Sequence, residues 1–320
     1  MAGWGVALPP TTVANADLES LFDTSDAWIV ERSGIKSRRA AAGPFVDHVV
    51  AAHPPDGVGT TAALAIEAGN RAIKAAGVAP EEIAMVLLCT TSPDQAMPAT
   101  ASAVAHGLGI RGGAMDVNAA CAGFAYGLVT AAALVGAGAG KVLLIGAETM
   151  SRIVNWSDRT TAFLFGDGAA ALVLEAVDGP GSLLGWDLGG DGSLVELLYA
   201  DHGSGMVMKG QEVFRQAVRA SVESSVTALR RAGIEPAEVA LFVPHQANAR
   251  IMKTVAERLG IGPERIASVI DWTGNTSSAS IPLALFHEAD QGRLADGDVV
   301  LMTGFGAGMA WGSAVWRWTT

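Results

Sequence analysis

The chain has 320 residues, half of them apolar and only 17% charged. That is enough apolar surface for one or two α/β domains, and it excludes an intrinsically disordered chain. With 32 acidic against 21 basic residues the net charge is −11, which argues against non-specific binding to nucleic acid or to an anionic membrane surface.

The first ten residues lack a basic n-region, so no signal peptide is read. Residues 40–59, with two His and three Pro, read as a surface loop. Short uncharged apolar runs at 85–89, 142–146, 170–174, 240–243 and 299–302 predict strands covered on both faces. The uncharged stretch 117–140 covers 24 positions, long enough to span a bilayer, but it is rich in Ala and Gly with only two Leu. It reads as a buried central helix. Gly and Asp cluster at 177–189, which sets domains at residues 1–178 and 179–320. Phe214, Val218, Val222, Val226 and Leu229 recur at helical spacing across 211–231, and Ile251, Val255 and Leu259 repeat the pattern. Strand-helix alternation predicts mostly parallel sheets with helices on both sides, and ligand sites beyond the carboxyl ends of the strands.

The chain also resembles itself. Residues 76–87 align with 232–243 at five of twelve identical positions, 108–110 echo 259–261, and 142–146 echo 300–304. The offset stays between 151 and 158, as two similar halves require.

Two cysteines, Cys89 and Cys121, are too few for a disulfide framework and fit a reducing cytoplasm. Cys89 ends an apolar strand and reads as a buried core residue. Cys121 sits among small residues before a helix-like segment; a helix beginning there would favour the thiolate and lower its pKa below roughly 8.5. An inert buried cysteine is the competing reading. His245 follows the strand at 240–243, where sites of α/β proteins gather. Asn275 lies in a polar turn leading into an apolar helix, which alone suggests a cap. The repeat instead places Cys121 and Asn275 at matching strand-to-helix corners. The glycine-rich 304–308 turn lacks the lysine of a phosphate loop and the spacing of a dinucleotide fingerprint; its small residues suit backbone N–H groups approaching a reacting oxygen. No spacing suggests a metal.

Asn118-Ala119-Ala120-Cys121-Ala122-Gly123-Phe124, Pro244-His245-Gln246-Ala247-Asn248 and Gly274-Asn275-Thr276-Ser277, in that order, resemble β-ketoacyl-acyl-carrier-protein synthase III of the thiolase-like superfamily. The resemblance extends to residues 25–35, Ser151-Arg152, Asp158-Arg159-Thr160, 165–169 and Trp311-Gly312-Ser313-Ala314, nearly the whole chain. It implies an α/β, thiolase-like fold of two pseudo-duplicated halves in a layered αβαβα arrangement. It implies an acyltransferase in which Cys121 takes an acyl group from acyl-CoA as a thioester. Malonyl-acyl-carrier protein then loses carbon dioxide, and its carbanion attacks that thioester to start a fatty-acid or related chain. His245 and Asn275 would donate to the malonyl thioester oxygen, with the backbone N–H groups of Cys121 and Ala307 as a second oxyanion hole.

By the same resemblance Trp28 and Arg152 would sandwich the adenine of CoA, Arg32 contact its phosphate, and Asn248 line the pantetheine tunnel. Met97 would close the acyl pocket of a neighbouring subunit in a homodimer. The acidic carrier protein requires a local basic patch, for which Arg215, Arg219, Arg250 and Lys253 are the candidates. CoA enters as substrate, and no cofactor or metal is implied. The chain departs from the family pattern at Ala307 (usually Gly), at Met97 (usually Phe), at Glu257 (commonly basic) and in the length of the 40–59 loop. A family member of specialised metabolism that transfers acyl groups without decarboxylation is the alternative. A Cys-His-Asn hydrolase is more remote, since the cysteine-flanking sequence of papain-like proteases is missing. Thiolase proper needs a second catalytic cysteine, and none follows Cys121.

Overall fold

The computed structural model describes residues 1–46, 59–201 and 205–319, so most of the expected 40–59 loop lies outside the described residues. Strand β1 (Gly3–Ala7) is followed by β2 (Thr11–Ala14), α1 (Asn15–Leu18), α2 (Asp26–Ser33) and β3 (Ser37–Ala40). β2 and β3 pair as a small antiparallel ribbon. Helix α3 (Thr61–Ala76), β4 (Ile83–Cys89), α4 (Thr100–Gly107), β5 (Gly113–Val117), α5 (Gly123–Gly136), β6 (Lys141–Glu148) and β7 (Gly168–Leu174) complete the first half. Its sheet runs β1-β7-β6-β4-β5.

The second half contains β8 (Leu183–Gly190), the short strands β9 (Leu198–Tyr199) and β10 (Val207–Met208), α6 (Gly210–Ala232), β11 (Val239–Pro244), α7 (Ala249–Leu259), α8 (Ile270–Thr273), α9 (Ser280–Asp290), β12 (Val299–Gly306) and β13 (Ala310–Arg317). Its sheet runs β11-β12-β13-β8. Every strand expected from an apolar run falls inside an observed one. β8 occupies much of the segment expected to be a linker, because only the residues between Leu174 and Leu183 are free of strand.

The expectation of mostly parallel sheets is corrected. β4 is parallel to β5 and β6, and β11 to β12. β1–β7, β6–β7, β12–β13 and β13–β8 are antiparallel, so both sheets are mixed. Strand-helix-strand crossovers give the parallel pairs. Strands β7 and β13 instead return beside their predecessors without an intervening long helix, which reverses direction.

Five layers result. α3 and α4 cover the outer face of the first sheet through a core of Ala65, Ala68, Leu88, Val104 and Leu143. α6 and α7 cover the second sheet through Val218, Leu229, Val255 and Leu301. Between the sheets lie α5 and α9, whose Phe124, Leu128, Ile281, Leu285 and Phe286 join both sheets in the largest core. A helix buried between two sheets must be apolar on every side. The uncharged composition of α5 is thereby explained, and among the described residues no helix is long and apolar enough to cross a membrane.

The halves repeat each other down to turns. The short 3-10 turns Pro80–Glu82 and Pro236–Glu238 stand 156 residues apart, each closed by a glutamate accepting from the backbone three residues earlier. They meet tightly at the centre: a methyl group on Gly146 of β6 would lie 2.6 Å from the Ser278 carbonyl oxygen. Gly146→Ala should therefore cost about 1–3 kcal/mol by forced overpacking. Gly136→Ala, where nothing stands within 4 Å, should be neutral or slightly stabilising. Urea unfolding of both variants checks the contrast; equal midpoints would refute it.

Candidate active site

Two homologous corners build the site. In the first half, the Asn118 Oδ1 accepts the Ala120 N–H at 3.2 Å, Ala120 takes φ +47°, a 3-10 turn spans Ala120–Ala122, and α5 begins at Gly123. In the second, the Asn275 Oδ1 accepts the Ser277 N–H at 2.9 Å, Ser277 takes φ +47°, a 3-10 turn spans Ser277–Ala279, and α9 begins at Ser280. The corners match as the repeat predicts, and they match residue by residue at 157. The counterpart of Asn275 is thus Asn118, and that of Cys121 is Ser278.

Cys121, His245 and Asn275 all line one chamber of about 790 Å³, together with Arg32, Asn248 and Ala307. Its further walls are largely apolar, including Leu198, Met206, Phe214, Ile251 and Phe305. All three chemical groups are buried, at 9, 7 and 6% exposure. Strand β12 runs close beneath the thiol, since a methyl group on Gly306 would meet the Cys121 nitrogen at 2.5 Å. That close approach explains the glycines at 304 and 306, which belong to the strand.

The first half holds the backbone of Asn275, while His245 is held within the second half. The backbone of Asn275 is paired both ways with the first half, its N–H donating to Leu164 at 2.8 Å and its carbonyl accepting from Gly166 at 3.0 Å. His245 follows β11, and its N–H donates to the Thr303 carbonyl at 2.7 Å. Its ring Nδ1 lies 2.6 Å from the Ser280 hydroxyl. Gln246 locks the next turn by donating to the carbonyls of Pro244 and Ala267 and accepting from Val269.

The expected thiolate is corrected. Helix α5 begins at Gly123 rather than at Cys121, and burial pushes the thiol up to about 12. Ser277 lowers it by a hydrogen bond, and the nearby Glu148 raises it further. A helix N-terminus contributes about 0.3–1 kcal/mol, under one pKa unit, so desolvation wins. His245 is driven the other way, down to about 3, by burial. Thiol and imidazole are therefore both neutral near pH 7.

Trp28 and Arg32 share one face of α2, whose start is capped by Ser25. The Arg32 guanidinium lies 4.3 Å from the Trp28 ring centre, and a second guanidinium, Arg159, lies 5.0 Å away. Arg152, expected opposite Trp28, is instead bonded to Asp94 at 2.5 Å. Asn248 caps α7 and donates to the Arg32 carbonyl at 2.8 Å, tying the two segments together. Met97 is 83% exposed and does not line the chamber. Arg215, Arg219, Arg250 and Lys253 are exposed on α6 and α7, with Arg215 paired to Glu212 and Lys253 to Glu257.

The sequence reading missed Glu148, Ser277 and Ser280. Ser277 and Ser280 stood in or beside a quoted motif without a role. Glu148 gave a weak signal, a lone acid ending an apolar strand. Among the described residues no group of three or more His, Cys, Asp or Glu is arranged to hold a metal.

Residues 115–192 match the family described as 3-Oxoacyl-[acyl-carrier-protein (ACP)] synthase III, and residues 229–318 match its C-terminal family. A β-ketoacyl-[acyl-carrier-protein] synthase III of Roseiflexus sp. (strain RS-1) is 42% identical, covering 100% of this chain and 98% of the relative. The crystal structure of 3-oxoacyl-[acyl-carrier-protein] synthase III from Aquifex aeolicus VF5 superposes with a TM-score of 0.92 at 40% identity, covering 99% of both chains. The corresponding structure from Pseudomonas aeruginosa PAO1 gives 0.91 at 40% identity, covering 100% of this chain and 98% of that one.

A neutral resting thiol has a kinetic signature. Alkylation of Cys121 by iodoacetamide, followed by peptide mass spectrometry, should rise about tenfold per pH unit from 6 to 9 without a plateau, because only the thiolate reacts. An inflection below pH 8 would show an activated thiolate and overturn this reading.

Proposed function

The chain belongs to the 3-oxoacyl-[acyl-carrier-protein] synthase III family, and we infer that Cys121, His245 and Asn275 divide its chemistry between them. The protein is a condensing acyltransferase of fatty-acid biosynthesis, which joins an acyl-CoA starter to malonyl-acyl-carrier protein. The observation that carries the assignment is the convergence of the thiol, the imidazole and the carboxamide on one buried chamber.

In the first half-reaction the Cys121 sulfur attacks the starter thioester, the carbon–sulfur bond to CoA breaks, and CoA leaves as the thiol with the proton Cys121 gives up. Sulfur is both nucleophile and leaving group, so the acyl-enzyme stays reactive. Backbone N–H groups of Cys121 and Ala307 would hold the tetrahedral oxyanion, and the Ala307 side chain leaves its N–H in place. In the second half-reaction the bond from the malonyl α-carbon to its carboxylate breaks and carbon dioxide departs. The electron pair passes to an enolate whose oxygen takes hydrogen bonds from His245 and Asn275. The enolate carbon then attacks the acyl-cysteine and releases the sulfur, which takes a proton from solvent. Donors fixed before charge develops need no reorganisation at the moment of reaction. The Asn275 Oδ1 is committed to the Ser277 N–H, which leaves its NH₂ to donate.

This chemistry calls for no bound cofactor, because the carboxylate leaving the malonyl group supplies the electron pair. Trp28, with Arg32 and Arg159 beside it, offers an aromatic and cationic site for the nucleotide end of CoA. Arg152 would have to leave Asp94 to join it. Strand β5 is the edge of its sheet with Met115 exposed on it, and Met97 is exposed in the loop between β4 and α4, which supports a homodimer in which Met97 reaches the partner's acyl pocket. Both cysteines are free, in keeping with a reducing cytoplasm.

Incubation with an acyl-CoA should add one acyl mass to Cys121 and none to Cys121→Ala. His245→Ala or Asn275→Ala should keep that adduct while cutting carbon dioxide release from malonyl-carrier protein about 100- to 1,000-fold. Condensation at the wild-type rate in either variant removes the assignment.

Arg250 is exposed at the start of α7, beside the Asn248 that lines the chamber. Arg250→Glu should raise KM for the carrier-linked substrate several-fold, more at low salt than at high. KM for acyl-CoA should stay within twofold. An equal rise in both would mean that Arg250 does not dock the carrier protein.

A further inference from the structure

We propose that Ser280 is a positioning residue that fixes the tautomer of His245, its hydroxyl donating to Nδ1 so that the ring proton sits on Nε2. The inference rests on the role given to His245 above and adds the group that makes it possible.

Proton counting on two hydrogen bonds carries it. Ser280 is fully buried at the first position of α9, with its Oγ 2.6 Å from the His245 Nδ1. The same oxygen receives the Gln246 N–H at 3.3 Å. A serine hydroxyl has one proton to give and two lone pairs to offer. One lone pair is engaged by Gln246, and among the described residues the hydroxyl proton has a single acceptor in reach, Nδ1. If the ring carried its proton on Nδ1 instead, that proton would use the second lone pair. The serine proton would then be buried without an acceptor, at a cost of about 1–3 kcal/mol.

The consequence is chemical. A neutral imidazole accepting at Nδ1 presents Nε2–H, a donor suited to an enolate oxygen. The opposite tautomer presents a lone pair that would repel that oxygen. A ring locked with Nε2–H also cannot take the thiol proton, so acyl transfer to Cys121 proceeds without it. Burial supports the arrangement by holding the ring neutral. The repeat gives a further reason why the residue is serine: its counterpart is Gly123, which faces Cys89, the counterpart of His245. Glycine suffices opposite an apolar thiol, whereas the imidazole requires a hydroxyl.

The test reads the tautomer directly. In full-length protein labelled with ¹⁵N-histidine, ring spectra assigned with His245→Gln should show His245 with Nε2 protonated and Nδ1 bare between pH 6 and 8.5. A wild-type signal from the Nδ1–H form overturns the proposal whether or not any variant folds. Ser280→Ala should admit the Nδ1–H form and lower kcat of condensation about tenfold or more, with KM for the carrier substrate and Cys121 acylation within twofold. Ser280→Cys, close in volume but a weaker donor, should fall between the two. Ser280→Ala retaining both the Nε2–H signal and the wild-type kcat refutes the role. Condensation surviving in His245→Ala would refute the assignment of His245 instead, while leaving the tautomer result standing.

Discussion

A single carboxylate pins the seam between the halves. Glu148, at the end of β6 and fully buried, accepts from the hydroxyls of Thr90, Thr91, Ser92 and Ser278 and from the N–H groups of Thr91, Ser92 and Ser278. A buried charge without partners would cost several kcal/mol; with seven donors around it, the carboxylate becomes a rigid template. It fixes the loop after β4 to the corner of the second half that carries Asn275 and Ser277. The Ser278 Oγ lies 2.6 Å from Glu148 and 2.8 Å from the Cys89 carbonyl oxygen, so its single proton is shared between two acceptors and the two corners meet in one network. The cost falls on the Cys121 thiol, because the same negative charge helps hold it protonated.

Duplication was the most legible feature of the sequence, because it survives in the positions where backbone geometry tolerates little. The paired turns at Pro80 and Pro236 and the two asparagine corners are such positions. The strands were legible too, since strands buried on both faces read as unbroken apolar runs. Strand direction was not. β1 pairs with β7, more than 160 residues away, and no local pattern records that contact. Nor could periodicity place the start of α5, because the chain enters it through a residue with positive φ and a 3-10 turn.

The site divides along a similar line. Cys121, His245 and Asn275 were legible because each stands at a strand's end or a helix's entrance within a small-residue motif. Their charge states were not, since burial depends on everything packed around them. Arg152 illustrates the limit. Its position matched an adenine-binding residue, yet the side chain serves Asp94, whose carboxylate also accepts the first N–H groups of α3. Helix-end donors and a guanidinium together make a strong local well. Arg159 and Arg32 meanwhile flank Trp28, so the positive charge near that ring is kept with different residues in place.

On the division of labour proposed for Cys121, His245 and Asn275, neutrality at rest lets one chamber run two half-reactions in sequence. In a thiolate–imidazolium pair the ring would have to hand its proton to the departing CoA sulfur before malonyl binds; a ring still charged at that point would protonate the nascent enolate and return the carbanion to a dead-end acetyl group. With the ring neutral and its Nδ1 engaged by Ser280, it can stabilise the oxygen without protonating the carbon. In that proposed scheme acyl transfer relies on the thiol, the backbone N–H groups and the departing CoA sulfur. Condensation relies on the donors supplied by the second half. The seam that Glu148 holds closed is where these two sets of groups must keep their distance from one another to within a fraction of an ångström.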